Sequence, residues 1–278
     1  MHIARAVHHG EVSWGFVDED LFFPAGLDDS PLQLSPAELA SRRRESSEPV
    51  PLETVRLRAP IPNPPQFIGV GLNYRDHAAE SGMDTPSAPV TFGLLASAIL
   101  DPGLPIILPV FTDKVDWEAE LGIVIGVPGR DIAVDDALDH VYGYTIVNDV
   151  SARDVQLDEG QWTRAKSFDT FKPMGPWITT TAALGAADDL RIGLTVNGVV
   201  KQESRTSELI FSVPDLVSML SRSITLPRGM VISTGTPSGV GFAREPAEYL
   251  RDGDSVTVEI EGIGALTNPV RASVASPT

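Results

Sequence analysis

The alternation of apolar and polar residues predicts more strands than helices. Residues 2–24 alternate around a possible turn at His9-Gly10, which indicates a small meander. Two alternating segments flank Asn197-Gly198, a dipeptide typical of β-hairpin turns. Residues 255–260 also alternate. The clearest helix start is Ser35-Pro36-Ala37-Glu38, a capping box with proline at the first helical position.

Residues 115–125 contain two candidate site residues. The pattern predicts one strand with Glu118 and Glu120 on the same face, where their carboxylates would stand ~7 Å apart. The strand continues into the apolar residues 123–125, so like charges would lie beside an apolar region. A hard divalent cation would neutralise them. For an isolated Glu-x-Glu pair, a solvated strand face is the better explanation.

The segment after residue 71 predicts a short helix with a possible base. Asn73 is expected to cap this helix and Gly82 to end it. His77 and Glu80 are three residues apart and therefore neighbours on one helical face. A carboxylate beside a histidine tunes it as a base, whereas a surface pair is the alternative favoured in isolation. We also expect residues 73–88 to close over a substrate.

Two further polar residues follow apolar segments. Asp149 comes after the apolar strand predicted at residues 141–147, and it either belongs to a site or caps the next helix. Lys166 lies between aromatic residues in a loop, where partial desolvation would suit an electrostatic catalyst. A salt bridge between Lys166 and Asp169 explains the same pattern equally well.

Composition narrows the class of protein. The chain has 278 residues with 42% hydrophobic content, 24 glycines and 23 prolines, which indicates a sizeable core and many turns. A net charge of −17 disfavours a nucleic-acid partner, because phosphate backbones need a basic surface. Cysteine is absent, and no apolar run approaches the length of a membrane span. We therefore expect a cytoplasmic protein without a membrane partner.

Five motifs occur in a characteristic order along the chain. They lie at residues 71–80 (Gly-Leu-Asn-Tyr-Arg-Asp-His-Ala-Ala-Glu), 116–121 (Asp-Trp-Glu-Ala-Glu-Leu), 148–156 (Asn-Asp-Val-Ser-Ala-Arg-Asp-Val-Gln), 166–171 (Lys-Ser-Phe-Asp-Thr-Phe) and 235–241 (Gly-Thr-Pro-Ser-Gly-Val-Gly). Together, over roughly residues 60–270, the chain resembles the fumarylacetoacetate hydrolase family, and in particular its acylpyruvase-like bacterial members.

The resemblance implies a fold, an assembly and a site. The fold would be a β-rich α+β fold, with a rolled mixed β-sheet domain at residues 61–278 after a small N-terminal β/α region at residues 1–60. The assembly would be a homodimer. The implied residues are metal ligands for Mg²⁺ or Mn²⁺ (Glu118, Glu120 and Asp149), a water-activating pair (His77 and Glu80), a catalytic lysine (Lys166) and substrate-binding residues (Arg153, Gln156 and Thr236).

The implied activity is metal-dependent hydrolysis of a carbon–carbon bond in a short 2,4-dioxo acid of the acylpyruvate or fumarylacetoacetate type. Decarboxylation or isomerisation of a 2-oxo acid, of the oxaloacetate or 2-hydroxyhepta-2,4-diene-1,7-dioate type, is the alternative on the same site. A binding or scaffold protein whose acids are only surface is the alternative from another class. Leu94 stands where many family members have lysine, so one cation near the substrate is missing and the substrate stays open.

Overall fold

Strands predominate in the computed structural model, which describes residues 1–27, 30–80, 82 and 84–273. The helices of this part of the chain are α1 (Pro36–Glu45), α2 (Arg75–Glu80), α3 (Arg153–Glu159), α4 (Trp162–Ala165), α5 (Thr181–Leu184) and α6 (Val213–Ser223). Short 3₁₀ segments, such as Val134–His140, connect some of the strands.

The strands are numbered in chain order. The first nine are β1 (His2–His8), β2 (Glu11–Asp18), β3 (Leu21–Leu27), β4 (Val50–Pro51), β5 (Arg56–Arg58), β6 (Phe67–Gly71), β7 (Val90–Gly93), β8 (Ile99–Leu100) and β9 (Ile106–Leu108). The others are β10 (Val115–Asp116), β11 (Ala119–Ile125), β12 (Val141–Asn148), β13 (Ser151–Ala152), β14 (Lys172–Thr180), β15 (Arg191–Val196), β16 (Val199–Arg205), β17 (Val231–Ser233), β18 (Ser255–Ile260) and β19 (Gly264–Ala272).

A mixed sheet carries most of the site. Its strand order is β4-β3-β2-β1-β14-β12-β11-β17-β6-β7, with β5 paired to β1 and β8 paired to β14. The N-terminal meander is part of this sheet, because β1 pairs antiparallel with β14 at Ile3 and Ile178. Strands before and after the domain boundary predicted near residue 60 therefore belong to the same sheet. The boundary itself stays a prediction from the sequence.

The core lies between the large sheet and a second sheet of order β16-β15-β18-β19-β9. Leu121 and Ile123 of β11 belong to the same buried cluster as Ile192 of β15, Val256 of β18 and Leu216 of α6. Burying such side chains contributes roughly 1.5–3 kcal/mol each relative to leaving them exposed. All residues of β11 are thus buried. In the described part of the chain, no helix is long and apolar enough to cross a membrane.

Several local predictions are confirmed by the structure. The meander forms β1 to β3, and residues 255–260 form β18. Ser35 accepts a hydrogen bond from the Glu38 amide at 3.3 Å, and the Ser35 amide donates to Glu38 Oε2 at 2.8 Å, which completes the capping box of α1. Asn197 and Gly198 adopt φ angles of 54° and 77°, as a tight hairpin turn between β15 and β16 requires.

The prediction of one continuous strand over residues 115–125 is wrong. The strand is interrupted between Asp116 and Ala119, which leaves β10 paired with β13 in a separate two-stranded sheet. Side chains satisfy the backbone at the break: the Glu118 amide donates to Asn148 Oδ1 at 3.1 Å, and the Ala119 amide donates to Gln202 Oε1 at 2.8 Å. The interruption therefore leaves neither of these two backbone amides without a hydrogen-bond partner.

The capping role predicted for Asn73 is also wrong. Its side-chain oxygen accepts from the Phe211 amide at 2.8 Å, and its amide group donates to the carbonyls of Phe211 and Thr234 at 3.1 and 2.8 Å. Asn73 therefore joins two distant loops and does not cap α2. That helix ends at Glu80, and Ser81 and Met83 lie outside the described residues, so the closure of residues 73–88 stays a prediction.

Candidate active site

Three carboxylates meet where β11 and β12 lie side by side. One carboxylate oxygen from each of Glu118, Glu120 and Asp149 lies within 4.8 Å of the others, and all three residues are buried. Ala119 pairs with Asn148 in the antiparallel ladder, so the start of β11 lies beside the end of β12. The Asp149 amide donates to the Glu118 carbonyl at 2.9 Å and extends this pairing past the strand end. The acidic cluster predicted from the sequence is therefore present.

Lys166 connects two of these acids. Its ammonium lies 2.6 Å from Glu118 Oε2 and 2.9 Å from Asp149 Oδ2, and it donates to Ser151 Oγ at 2.9 Å. The partners of Lys166 are thus the acidic cluster and a serine, not the neighbouring Asp169. The opposite charges of Asp149 and Glu118 outweigh burial, which alone would lower the pKa of Lys166, and raise that pKa.

Lys172 is a second buried lysine at the same cluster, and the sequence did not indicate it. Its ammonium lies 2.6 Å from Asp149 Oδ1 and donates to the carbonyls of Val150 and Phe171 at 3.0 and 2.8 Å. The side chain is fully buried. Burial lowers the pKa of Lys172 to about 8 even though Asp149 opposes this shift. Nothing in the apolar, proline-containing sequence of β14 marks this lysine as part of a site.

Arg153 braces Glu118 from the other side. Its Nη2 atom lies 2.8 Å from Glu118 Oε1, its Nε donates to Asp116 Oδ2 at 2.8 Å, and its Nη1 donates to Gln156 Oε1 at 2.9 Å. Two of the guanidinium nitrogens therefore donate hydrogen bonds to protein side chains, and the third forms an ion pair with Glu118. The amide nitrogen of Gln156 remains a possible donor to a substrate, whereas Arg153 would have to exchange a partner to bind one. Substrate binding by both residues stays a prediction.

Asp116 fixes the loop that follows β17 and was not among the predicted site residues. Besides Arg153, its carboxylate accepts from the Gly241 amide at 2.7 Å and from the Phe242 amide at 3.0 Å. A Cβ atom on Gly241 would lie 2.6 Å from Asp116 Oδ1, so this close approach requires glycine. Asp116 thus positions Arg153 and the loop together.

His77, one member of the predicted pair on α2, lines a cavity beside the acidic cluster. His77 Nδ1 lies 3.2 Å from Glu80 Oε2, and Glu80 Oε1 accepts from the Gly239 amide at 2.9 Å. Burial would raise the pKa of Glu80, but the hydrogen bonds from His77 and Gly239 outweigh it and lower that pKa. Because Nδ1 is engaged, Nε2 is the imidazole nitrogen left to exchange a proton.

The cavity between these groups has a volume of about 130 Å³. Glu118, Glu120, Lys166 and His77 lie on its polar side. Its other lining residues are Val70, Gly71, Leu72, Phe92, Arg153, Gln156, Leu157, Trp162, Thr236 and Phe242.

Thr236 is held at the cavity by a neighbouring side chain. Its hydroxyl oxygen accepts from Gln202 at 2.8 Å, which leaves the hydroxyl proton to donate into the cavity. Leu94 is buried in an apolar cluster with Phe92, Val147 and Met174 and is not among the residues that line the cavity.

The charges at the cluster fit a divalent cation. Burial raises the pKa of Glu120 well above its usual value, and Asp149 and Glu118 add to the shift. Burial would also raise the pKa of Glu118, but Lys166 and Arg153 outweigh it and lower that pKa to about 2. Four carboxylates, including Asp116, face only three cationic side chains. A hard divalent ion would supply the missing positive charge, and Glu118, Glu120 and Asp149 would hold it through the oxygen ligands that such an ion prefers.

The sequence matches the family described as "Fumarylacetoacetate (FAA) hydrolase C-terminal" over residues 66–271. The chain therefore belongs to the fumarylacetoacetate hydrolase family, as its motifs indicated. The β-rich α+β fold is shared with solved structures of this family.

The names of similar proteins refer to different reactions. "Oxaloacetate tautomerase fahd2, mitochondrial" of Xenopus laevis is 42% identical over 246 residues, which cover 88% of this chain and 76% of that protein. A 2-hydroxyhepta-2,4-diene-1,7-dioate isomerase from Mycobacterium marinum is 38% identical, with a TM-score of 0.81 and coverage of 98% and 99%. A fumarylacetoacetate hydrolase from Exiguobacterium antarcticum is 37% identical, with a TM-score of 0.85 and coverage of 98% and 100%.

These similarities support an enzyme of the family and a site that could hold a divalent cation. They do not separate hydrolase from tautomerase or isomerase, so the hydrolase assignment stays a prediction. The choice between Mg²⁺ and Mn²⁺ and the homodimer are predictions as well. So is the cytoplasmic location, since the Xenopus relative is named as mitochondrial.

Proposed function

We propose that this protein is a divalent-cation-dependent enzyme that interconverts the keto and enol forms of a short 2-oxo acid of the oxaloacetate type. The observation that supports this proposal best is the position of Lys166. Its ammonium bridges Glu118 and Asp149 and lines the same cavity as His77. Positive charge at this point stabilises an enolate oxygen, which keto–enol exchange needs above all.

The side chains around the cavity supply distinct parts of the reaction. A divalent cation held by the three carboxylates would act as a Lewis acid on the oxo group. Lys166 would stabilise the negative charge that develops on the substrate oxygen as a proton leaves the adjacent carbon. His77, through Nε2, would accept that proton, and protonation of the oxygen would complete the enol. Glu80, whose carboxylate lies 3.2 Å from Nδ1, would hold the imidazole ring in place.

Substrate orientation would come from the neutral polar groups and the apolar wall. Gln156 can donate its amide protons and Thr236 its hydroxyl proton to a carboxylate. Trp162 and Phe242 form part of the apolar wall of the cavity beside these groups. A cavity of about 130 Å³ suits a short substrate.

A direct assay tests the proposal. The enol form of oxaloacetate absorbs in the ultraviolet, so its decay can be followed with Mg²⁺ or Mn²⁺ and again after chelation. We expect acceleration that requires the cation and is lost in Lys166→Met. The control is Lys201→Met, which removes a lysine whose ion-pair partner is Glu248, outside the acidic cluster. No cation-dependent acceleration by the unaltered protein would refute the proposed activity.

Hydrolysis of a 2,4-dioxo acid is the second candidate, and the pair on α2 favours it. His77 bound to Glu80 at 3.2 Å is an arrangement that can activate a water molecule. The same preparation should be offered acylpyruvates and fumarylacetoacetate, with release of the carboxylic acid as the signal. Cation-dependent release that exceeds enol exchange would assign the protein as a hydrolase.

A further inference from the structure

Asp149 is held by a different lysine at each carboxylate oxygen. Lys166 contacts Oδ2 at 2.9 Å, and Lys172 contacts Oδ1 at 2.6 Å. Lys166 lines the cavity, whereas Lys172 is not among the lining residues and contacts the other carboxylate oxygen of Asp149. The two lysines therefore have different access to a bound molecule although they share one partner.

The ammonium of Lys172 is fixed on three sides. Besides its ion pair with Asp149, it donates hydrogen bonds to the carbonyls of Val150 and Phe171. Val150 and Phe171 are themselves joined, because the Val150 amide donates to the Phe171 carbonyl at 3.2 Å. Lys172 therefore connects the end of β12 to the start of β14 at the point where Asp149 leaves the sheet.

We propose that Lys172 is a positioning residue for the cation site, which holds Asp149 by Oδ1 so that Oδ2 stays beside Glu118 on the side of Lys166. Partners behind a metal ligand orient the ligand, and their loss typically weakens metal binding by ~10–100-fold. This inference rests on the divalent cation of the proposed function, but it does not depend on which reaction the protein catalyses.

Mn²⁺ binding to the chelator-treated full-length protein tests this role without any substrate. Free Mn²⁺ can be measured by electron paramagnetic resonance, which gives the dissociation constant directly. We expect Lys172→Met to raise the dissociation constant ~10–100-fold, because Asp149 loses the partner that orients it. The matched control, Lys201→Met, also removes one lysine from an ion pair and should leave Mn²⁺ binding unchanged.

A double variant separates this role from general packing. If Lys172 acts through Asp149, Lys172→Met should add little to the loss already caused by Asp149→Asn. Additive losses would show that Lys172 affects binding by another route and would overturn the proposal. Unchanged or tighter Mn²⁺ binding by Lys172→Met would also overturn the proposal for Lys172. If the unaltered protein still binds Mn²⁺ in that experiment, the assignment of the cation site itself would stand.

If Lys172→Met does not fold, nuclear magnetic resonance of the unaltered protein tests the proposal instead. In protein whose lysine side chains are labelled with ¹³C, we expect the resonances of two buried lysines, Lys166 and Lys172, to shift when Mg²⁺ is added. One of these two shifting resonances should remain in Lys166→Met. A single shifting resonance would overturn the role of Lys172. Failure of the unaltered protein to bind either cation would remove the cation site and this inference together.

Discussion

The two polar parts of the candidate site are attached to the fold in different ways. The acidic cluster lies on β11 and at the end of β12, and Glu120 and Asp149 are at most 2% exposed. The pair on α2 belongs to a helix of six residues, and the side chain of Glu80 is 23% exposed. Central strands hold the first part, whereas side-chain contacts to loops hold the second.

This difference separates two chemical tasks. A cation site and an enolate-stabilising lysine must not rearrange, because misplaced charge loses most of its effect. Lys166, Lys172 and Arg153 therefore hold the acids from several sides. A helix of two turns is marginal without tertiary contacts, so we expect His77 and Glu80 to be held less firmly than the acids.

The largest effect is expected at the acidic cluster. Glu120→Gln removes one carboxylate charge while keeping the size of the side chain, so the cation should bind weakly or not at all. Loss of Lewis-acid assistance worth several kcal/mol predicts a fall in cation-dependent turnover of at least ~10³-fold. Enol exchange with and without chelator measures this fall. Retained cation-dependent turnover in Glu120→Gln would contradict the ligand assignment.

The pair on α2 should affect the two candidate reactions unequally. His77→Ala should reduce hydrolysis by ~10²–10⁴-fold, the range of a lost general base. Keto–enol exchange should lose visibly less, because a carbon acid already polarised by positive charge can release its proton to water. Rates of both reactions in the same preparation check this difference. Equal losses would show that the base and the charged groups act as one unit.

The attachment of α2 can be weakened without touching the reacting groups. Asn73→Ala removes three hydrogen bonds from a fully buried side chain and leaves the Phe211 amide without its partner. Each unsatisfied buried group costs about 1–3 kcal/mol, so the free energy of unfolding in urea should fall by at least this amount. Asn63→Ala, at an exposed asparagine, is the control. An unchanged free energy of unfolding would show that Asn73 is not an anchor of α2.

The sequence predicted the parts of the site that depend on local pattern. The local pattern marks Glu118, Glu120, Asp149, His77 and Glu80 as candidates, because acids border apolar strands and the pair shares a helical face. For each of them it also allows or favours a surface or capping role, and the family resemblance is what assigned them to one site. Lys172 and Asp116 could not be found in this way, because their partners are distant in the chain and meet only when β10, β12 and β14 are assembled. The resemblance suggested a missing cation at Leu94, whereas the fold supplies an additional one, Lys172, in contact with Asp149.

The smallest effect concerns the pH dependence of stability at the more exposed pair. Hydrogen bonds from His77 and Gly239 lower the pKa of Glu80 below its usual 4.5. A carboxyl whose pKa is lower in the folded than in the unfolded state stabilises the fold above the unfolded pKa. That contribution is lost as the pH falls through the folded pKa.

Glu80→Gln should therefore lower the free energy of unfolding near neutral pH by less than about 1 kcal/mol, because the side chain is partly screened by water. The difference from the unaltered protein should shrink as the pH falls from 4.5 through the lowered folded pKa of Glu80. Urea titrations at several pH values, with the exposed Glu53→Gln as control, measure this trend. A difference that grows on acidification would mean that Glu80 is bound to its partners as a neutral acid, and the pair could not then act as a base supported by a carboxylate.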